Sequence, residues 1–383
     1  MEFDNLSWPA KISETIALHG QPFQPKEAPD SRFSILAKQL EHTWMYAREN
    51  LYDKRSDVTL ELLFLDNKLI NAIAQTANKG EDLSDFIMIF RGTLLAIVEI
   101  SNRLFSRSDF MPDLGNVLVE NNNRTHIAQW HADTEVRFAQ QVIPLNSVRQ
   151  QAAQVFSAAV ASFVFFHELT HLRNGHTELG RCQYNLPAIA EDHREESVSL
   201  PMEIKRTLEI DADTGAIIHL YTYLKHLSSS PPTDKDFNPQ IIASFYGDEK
   251  RLRQTCLQII DVYFKLSHQE GWNPEKDKDK THPGAAFRRW MTYHTFNQFL
   301  GRNIQHVKHD TQAFVDQFVT LALEMESIFS DMLNQAPDFK QLTSMIEHQE
   351  SFNVRLDEFR RCWTSLTPKL EPFVRGGELN LVV

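Results

Sequence analysis

Cysteine is scarce: Cys182, Cys256 and Cys362 are the three in 383 residues, and they lie far apart. An odd, scattered set excludes a disulfide framework and a cysteine-built zinc site, and it favours a reducing cytoplasm. Glycine (13) and proline (16) are also few, too few for a fibrous or low-complexity chain. Basic residues are in deficit, 39 Lys and Arg against 51 Asp and Glu, which gives a net charge of −12. That balance speaks against a nucleic-acid groove or an anionic membrane surface as the main partner. Long apolar runs are missing too. The greasiest stretches are 86–100, interrupted by Arg91 and Gly92, and 155–166. Both fall short of the roughly 20 residues of a spanning helix, so no membrane span is expected. The start, MEFDNLSWPAKISE, is acidic and has no apolar core of a secretion signal.

What is present is material for a core: 42% of residues are hydrophobic, with 26 phenylalanines. Residues 1–32 read as an extended lead-in. A helix is predicted over 34–51, with Ile35, Leu36, Leu40 and Trp44 on one side. Apolar runs at 58–65 and 69–74, split by Asp66-Asn67, predict a hairpin. A third strand is predicted at 86–90 and a helix over 93–105. Residues 106–146 are rich in Asn, Asp and Pro and read as a long insertion. Ser147 with Gln150 fits a capping box and opens a helix running to Gly175. Its middle is apolar all round, which requires burial. Phe163, Phe165 and Phe166 are therefore core side chains. A loop is predicted over 177–199, then a helix from Pro201 to about 227. The rest, 239–370, reads as helices with a break at 271–284.

Chemistry concentrates in His167-Glu168-Leu169-Thr170-His171. This is H-E-x-x-H on a helix, and its i,i+4 spacing puts both imidazoles on one face, in reach of a single metal ion. Glu168 is one step round and can take a proton from an activated water. The alternative is an amphipathic helix with two satisfied histidines. Ionisable groups at the end of so apolar a helix are costly to bury without a partner, and a metal ion is the natural one.

The third ligand sets the subclass. Asn174 and Thr177 stand where H-E-x-x-H-x-x-G-x-x-H would need Gly and His, so that pattern fails. His176 lies just past the Gly175 stop and is the lesser choice. Glu209 is the better one, in Leu208-Glu209-Ile210-Asp211-Ala212-Asp213. Glu209 and Asp213 are again i,i+4, so one can bind a metal while the other orients a ligating imidazole, fixing its tautomer. Ala212 and Ala216 are small enough for close helix approach. The alternative is a solvated acidic face of Glu203, Glu209 and Asp213. Cys182 could serve as an inhibitory ligand or be a plain loop thiol.

H-E-x-x-H followed by E-x-x-A-D resembles the signature of the gluzincin metallopeptidases. The pattern is similar to that of the CAAX prenyl protease and HtpX-type peptidases and their soluble relatives. Residues 69–74 look like that group's edge strand, 86–94 like its next strand and G-x-L helix, and 281–288 (THPGAAFR) like its late H-P-x-x-x-x-R element. The likeness runs over about 60–296. A cytoplasmic, phage-exclusion peptidase of the Lit type is similar as well.

The resemblance implies an α+β zincin fold, mostly helical, with a small edge sheet beside the active-site helix. The chain then divides into an N-terminal arm and helix at 1–57, a catalytic domain at 58–300 with the insertion 106–146, and a C-terminal helical extension at 301–383 that has no counterpart in that group. The resemblance implies Zn²⁺ on His167, His171 and Glu209, Glu168 as general base, and Asp213 orienting His167. His282 or Arg288 would donate to the tetrahedral oxygen, with Tyr221 or Tyr223 as looser choices. Asn71 and Ala72 would hold substrate backbone as an added strand; a turn role for Asn71 and a helix-start role for His282 stand beside these. The expected activity is zinc-dependent hydrolysis of a protein or peptide substrate. The rivals are a triggered defence or toxin peptidase and a zinc-stabilised, non-catalytic interaction protein.

Overall fold

A computed structural model describes residues 8–24, 31–52, 58–79, 82–128, 140–184, 186, 189–190, 200–230, 238–267, 284–303, 311–339, 343, 347–376 and 379. The described chain is mostly helical with one small mixed sheet, an α+β arrangement. In order the elements are α1 (Ala10–His19), α2 (Ser31–Asn50), β1 (Thr59–Leu65), β2 (Ala72–Lys79), β3 (Asp82–Phe90), α3 (Arg91–Phe105), α4 (Ser147–Arg173), α5 (His176–Tyr184), β4 (Ile189–Ala190), α6 (Met202–Ser229), α7 (Pro239–Tyr246), α8 (Glu249–Ser267), α9 (Ala285–Asn303), α10 (Thr311–Met332) and α11 (Gln349–Leu370).

Helix α4 is the axis of the molecule. It packs against α2, α3, α6, α8 and β2. It is long and apolar enough to cross a membrane, but 89% of its most apolar stretch is buried inside the protein. Its apolar middle thus finds neighbours on every side, as its lack of a polar face requires. Phe163, Phe165 and Phe166 are all fully buried. Leu36 and Leu40 of α2, and Phe314, Met325 and Met332 of α10, belong to the same continuous core as α4. Helices α2 and α10 therefore share the central core, while α11 packs in two smaller clusters.

Several expected boundaries move. The lead-in contains a helix, α1, whose Ile12 and Ile16 pack on the sheet's other face. Runs 58–65 and 69–74 do not form a hairpin. The sheet order is β1-β3-β2-β4; β1 pairs with β3 in parallel, and β2 pairs with β3 antiparallel. β1 and β3 have alternate partners on both faces, so the whole of each apolar run is buried, and pairing could not be read from alternation. The cap of α4 is Asn146, whose side-chain oxygen accepts from the backbone N–H groups of Val148 and Arg149. Ser147 is the first helical residue instead, and Gln150 donates to the Pro144 carbonyl. The loop expected from 177 is helix α5, which starts straight after Gly175.

Gly175 has φ +79, a conformation costly for residues with a Cβ, and a Cβ there would sit 2.7 Å from that of Phe373. The chain therefore leaves α4 sharply and folds under the tail after α11. That tail is fastened: the Arg375 N–H donates to the Arg173 carbonyl, and its guanidinium reaches Asp85 and Glu178.

Helices α4 and α6 carry the predicted ligands and run closely packed. A Cβ on Gly215 would lie 2.4 Å from Thr170 Oγ1, so glycine is what allows this approach. Further along the same interface Arg173 Nη1 donates to His219 Nε2 at 3.2 Å. Burial, with Arg173 adding to it, pushes the His219 pKa down to about 3. An unfolded histidine titrates near 6.5. The folded value is the lower one, so the group costs nothing above pH 7 and destabilises as pH falls from 6.5 toward 3. Between pH 7.5 and 5, wild type should lose about 2 kcal/mol through this residue, a loss missing from His219→Gln. Urea unfolding at the two pH values measures it; identical pH slopes in both proteins would refute it.

Candidate metal centre

His167 and His171 stand on the last two turns of α4, and Glu209 on the third turn of α6. Nitrogens of both imidazoles and a carboxylate oxygen of Glu209 lie within 4.8 Å of one another. The two Nε2 atoms are 3.3 Å apart. His167 Nε2 is 3.6 Å from Glu209 Oε2, and His171 Nε2 is 3.7 Å from Oε1. All three residues are 1% exposed. The acidic face on α6 is thus no solvated stripe: Glu209 and Asp213 point into the protein.

Asp213 Oδ1 lies 3.1 Å from His167 Nδ1. A proton on that nitrogen leaves the Nε2 lone pair facing Glu209 and His171. Burial holds the His171 pKa well below its usual value; Glu209 pulls it up less than desolvation pushes it down. A neutral imidazole is the state that can ligate a metal. Two nitrogens and a carboxylate, buried and convergent, suit Zn²⁺.

Arg288, on α9, completes the acidic side. Its Nε donates to Asp213 Oδ2 at 2.7 Å and one Nη to Oδ1 at 2.8 Å, a two-point clamp. The same Nη is 3.3 Å from Glu209 Oε2. Burial disfavours the guanidinium charge, but Asp213, Tyr263 and Glu209 outweigh it, so the Arg288 pKa is raised well above its ordinary value. The side chain faces carboxylates, which is a holding position.

Glu168 is 2% exposed and adjoins His167 on α4. Asn71 and Ala72 are buried at the start of β2. The Asn71 N–H donates to Thr93 Oγ1, and the Ala72 N–H donates to Asn71 Oδ1. The next two residues, Ile73 and Ala74, pair with β4. The backbone donors meant for an added substrate strand are thus spent within the fold. Asn71 Nδ2 is buried with no hydrogen-bond partner among the described residues. Tyr221 donates to Glu249 and packs on Phe296 and Phe299, away from the centre. Tyr223 packs on Tyr46 and Phe166. His282 lies outside the described residues. Cys182 is exposed, its Sγ 3.5 Å from Glu178, outside the ligand group.

The sequence does not place Tyr263 at the centre, nor His176 and Asp211 together against His171. Tyr263 of α8 has its ring 6.0 Å from that of His167 and its hydroxyl 3.4 Å from Arg288. Nothing in its local sequence sets it apart from other core aromatics. His176 Nδ1 is 3.0 Å from His171 Nδ1, and its Nε2 is 3.2 Å from Asp211 Oδ2. The spacing from His171 to His176 was visible, but only the turn at Gly175 brings the rings together.

No family model, curated protein or solved structure matches this chain.

Proposed function

We propose that the chain is a zinc metallopeptidase of the gluzincin kind, hydrolysing peptide bonds of a restricted protein substrate in the cytoplasm. The observation that carries this is the convergence of His167 Nε2, His171 Nε2 and a Glu209 oxygen within 4.8 Å, beside Glu168. Three acceptors gathered in a buried place call for a cation, and the base next to them calls for chemistry. The pairing of α4 with α6, and the mixed sheet against α4, support a zincin arrangement.

His167, His171 and Glu209 would hold the ion. When bound, zinc supplies a Lewis acid that makes water a nucleophile near neutral pH. The residues' own work is then definite. Glu168 takes a proton from the attacking water onto its carboxylate and passes it to the departing amine, so that amide and water become acid and amine. Asp213 fixes the His167 tautomer. Arg288 holds both carboxylates in place, as a positioning residue. Deep burial lowers the local dielectric, which strengthens each of these contacts.

The decisive experiment is zinc content by elemental analysis after reconstitution and desalting. About one zinc per chain is expected in wild type. Glu209→Ala should bind more weakly by well over the roughly 10–100-fold that loss of an outer-sphere partner costs. Full retention in that variant would remove Glu209 from the ligand set and the gluzincin assignment with it.

One observation favours a second form of this reading, a peptidase silent until triggered. His167, Glu168, His171 and Glu209 are each at most 2% exposed. A polypeptide cannot reach the centre in that state, so an opening step would precede turnover. Slow cleavage of short peptides that speeds up with a trigger supports this form; immediate cleavage of large unfolded proteins counts against it.

A further inference from the structure

Helix α5 begins with a histidine that is fully buried against the candidate centre, and the proposed reaction uses no part of it. We infer that His176 and Asp211 form a relay that fixes the tautomer and orientation of His171. The inference rests on the metal-centre reading for its purpose, though not for its geometry.

The argument starts at the far end. Asp211 is 8% exposed, and its Oδ2 accepts from Asn174 Nδ2 at 2.6 Å. The same oxygen lies 3.2 Å from His176 Nε2, near enough for its negative charge to act on that nitrogen although the pair is not aligned as a hydrogen bond. A carboxylate is acceptor-only, so it selects the His176 tautomer with the proton on Nε2. That leaves a lone pair on His176 Nδ1. It faces His171 Nδ1 at 3.0 Å, with both rings buried. Two lone pairs cannot meet at that distance with profit, so His171 carries its proton on Nδ1 and donates it. Its Nε2 lone pair then points at Glu209 and His167, where a metal ligand is needed. The proton positions follow from one carboxylate, two ångström-scale contacts and the rule that neutral imidazole has one donor and one acceptor.

The two ligating histidines are thus served differently. His167 has its carboxylate directly, Asp213, itself clamped by Arg288. His171 has its carboxylate at one remove, through an imidazole. The backbone explains the detour. His176 is five residues past His171, and the Gly175 turn at φ +79 redirects the chain so that α5 starts under the last turn of α4. Asn174, the C-cap residue of α4, anchors Asp211 across to α6. The N–H···N contact, the cap and the carboxylate therefore tie three helices at the ligand.

The test uses the full-length protein, zinc ion as the probe, and two readouts. The first is zinc affinity by competition with a chromophoric chelator, alongside thermal unfolding. His176→Ala should bind zinc about 10–100-fold more weakly, the usual loss for an outer-sphere partner of a ligating histidine. His176→Asn keeps an acceptor oxygen near the place of Nδ1 and should recover most of that loss. A merely packing role would make the smaller Asn no better than Ala. The second readout is the ¹⁵N NMR tautomer signature of His171 in metal-free wild type, expected as the Nδ1–H form. The inference is overturned if His176→Ala binds zinc as wild type does, if Asn fails to improve on Ala, or if His171 carries its proton on Nε2. Should His176→Ala not fold, the Asn variant and the wild-type tautomer decide. Should wild type bind no zinc, the metal-centre reading falls, and the tautomer still decides the relay.

Discussion

Glu168→Gln will cut peptide hydrolysis by about 10²–10⁴ while leaving zinc bound, the contribution expected of a general base. Glutamine keeps the size and shape of the side chain but has neither the negative charge nor the capacity to take a proton. The proposed ligand atoms lie on His167, His171 and Glu209, which the exchange does not touch. Zinc content should therefore stay near one per chain, and the unfolding midpoint should move little. The assay is a pooled library of short peptides, with cleavage read by mass spectrometry for zinc-loaded wild type and variant. Short peptides matter because the centre is almost wholly buried. Equal cleavage by both proteins would assign the activity elsewhere. Loss of zinc along with activity would place Glu168 among the ligands rather than beside them.

The centre was legible because its parts obey short-range rules. Two helical turns fix the i,i+4 geometry of His167 with His171 and of Glu209 with Asp213, and charged groups on apolar helices demand partners. The close pairing of α4 with α6 is expected through Ala212 and Ala216, which are buried, and Gly215 against Thr170 is a further small residue in that interface. What escaped was set by contacts distant in sequence. Arg288 lies 75 residues from Asp213, and its H-P-x-x-x-x-R context pointed to a substrate role. The structure turns it onto two acids. His176, just past a helix stop, reads from the sequence only as a lesser ligand choice. The stop is what delivers it, since a left-handed Gly175 starts α5 at once. β1 and β3, parallel and buried on both faces, carry no alternation from which partners could be read.

The segment 106–146 reads as a long insertion, and the first part of it, up to Leu114, is held to α4 by one side chain. Arg149, fully buried in the first turns of α4, donates to five backbone carbonyls: Phe105, Arg107, Phe110, Met111 and Leu114. The fork of five N–H groups is fully used, which no other side chain could reproduce. Burial lowers the Arg149 pKa, with Glu120 and Asp109 offsetting part of it. Arg149→Met should therefore cost about 3–5 kcal/mol, the range for leaving buried polar groups without their charged partner. Folded proteins have about 5–15 kcal/mol to lose, so the urea midpoint must fall visibly. Lysine offers at most three donors from a point charge, so Arg149→Lys should fall between wild type and Met. The two proposed ligating histidines stand about 27–33 Å further along the same helix, so zinc affinity in the folded variants should match wild type. An unchanged midpoint in Arg149→Met would mean that water satisfies those carbonyls as well as the guanidinium does, and that the segment 106–114 is held by Phe105, Phe110 and Phe156 packing alone.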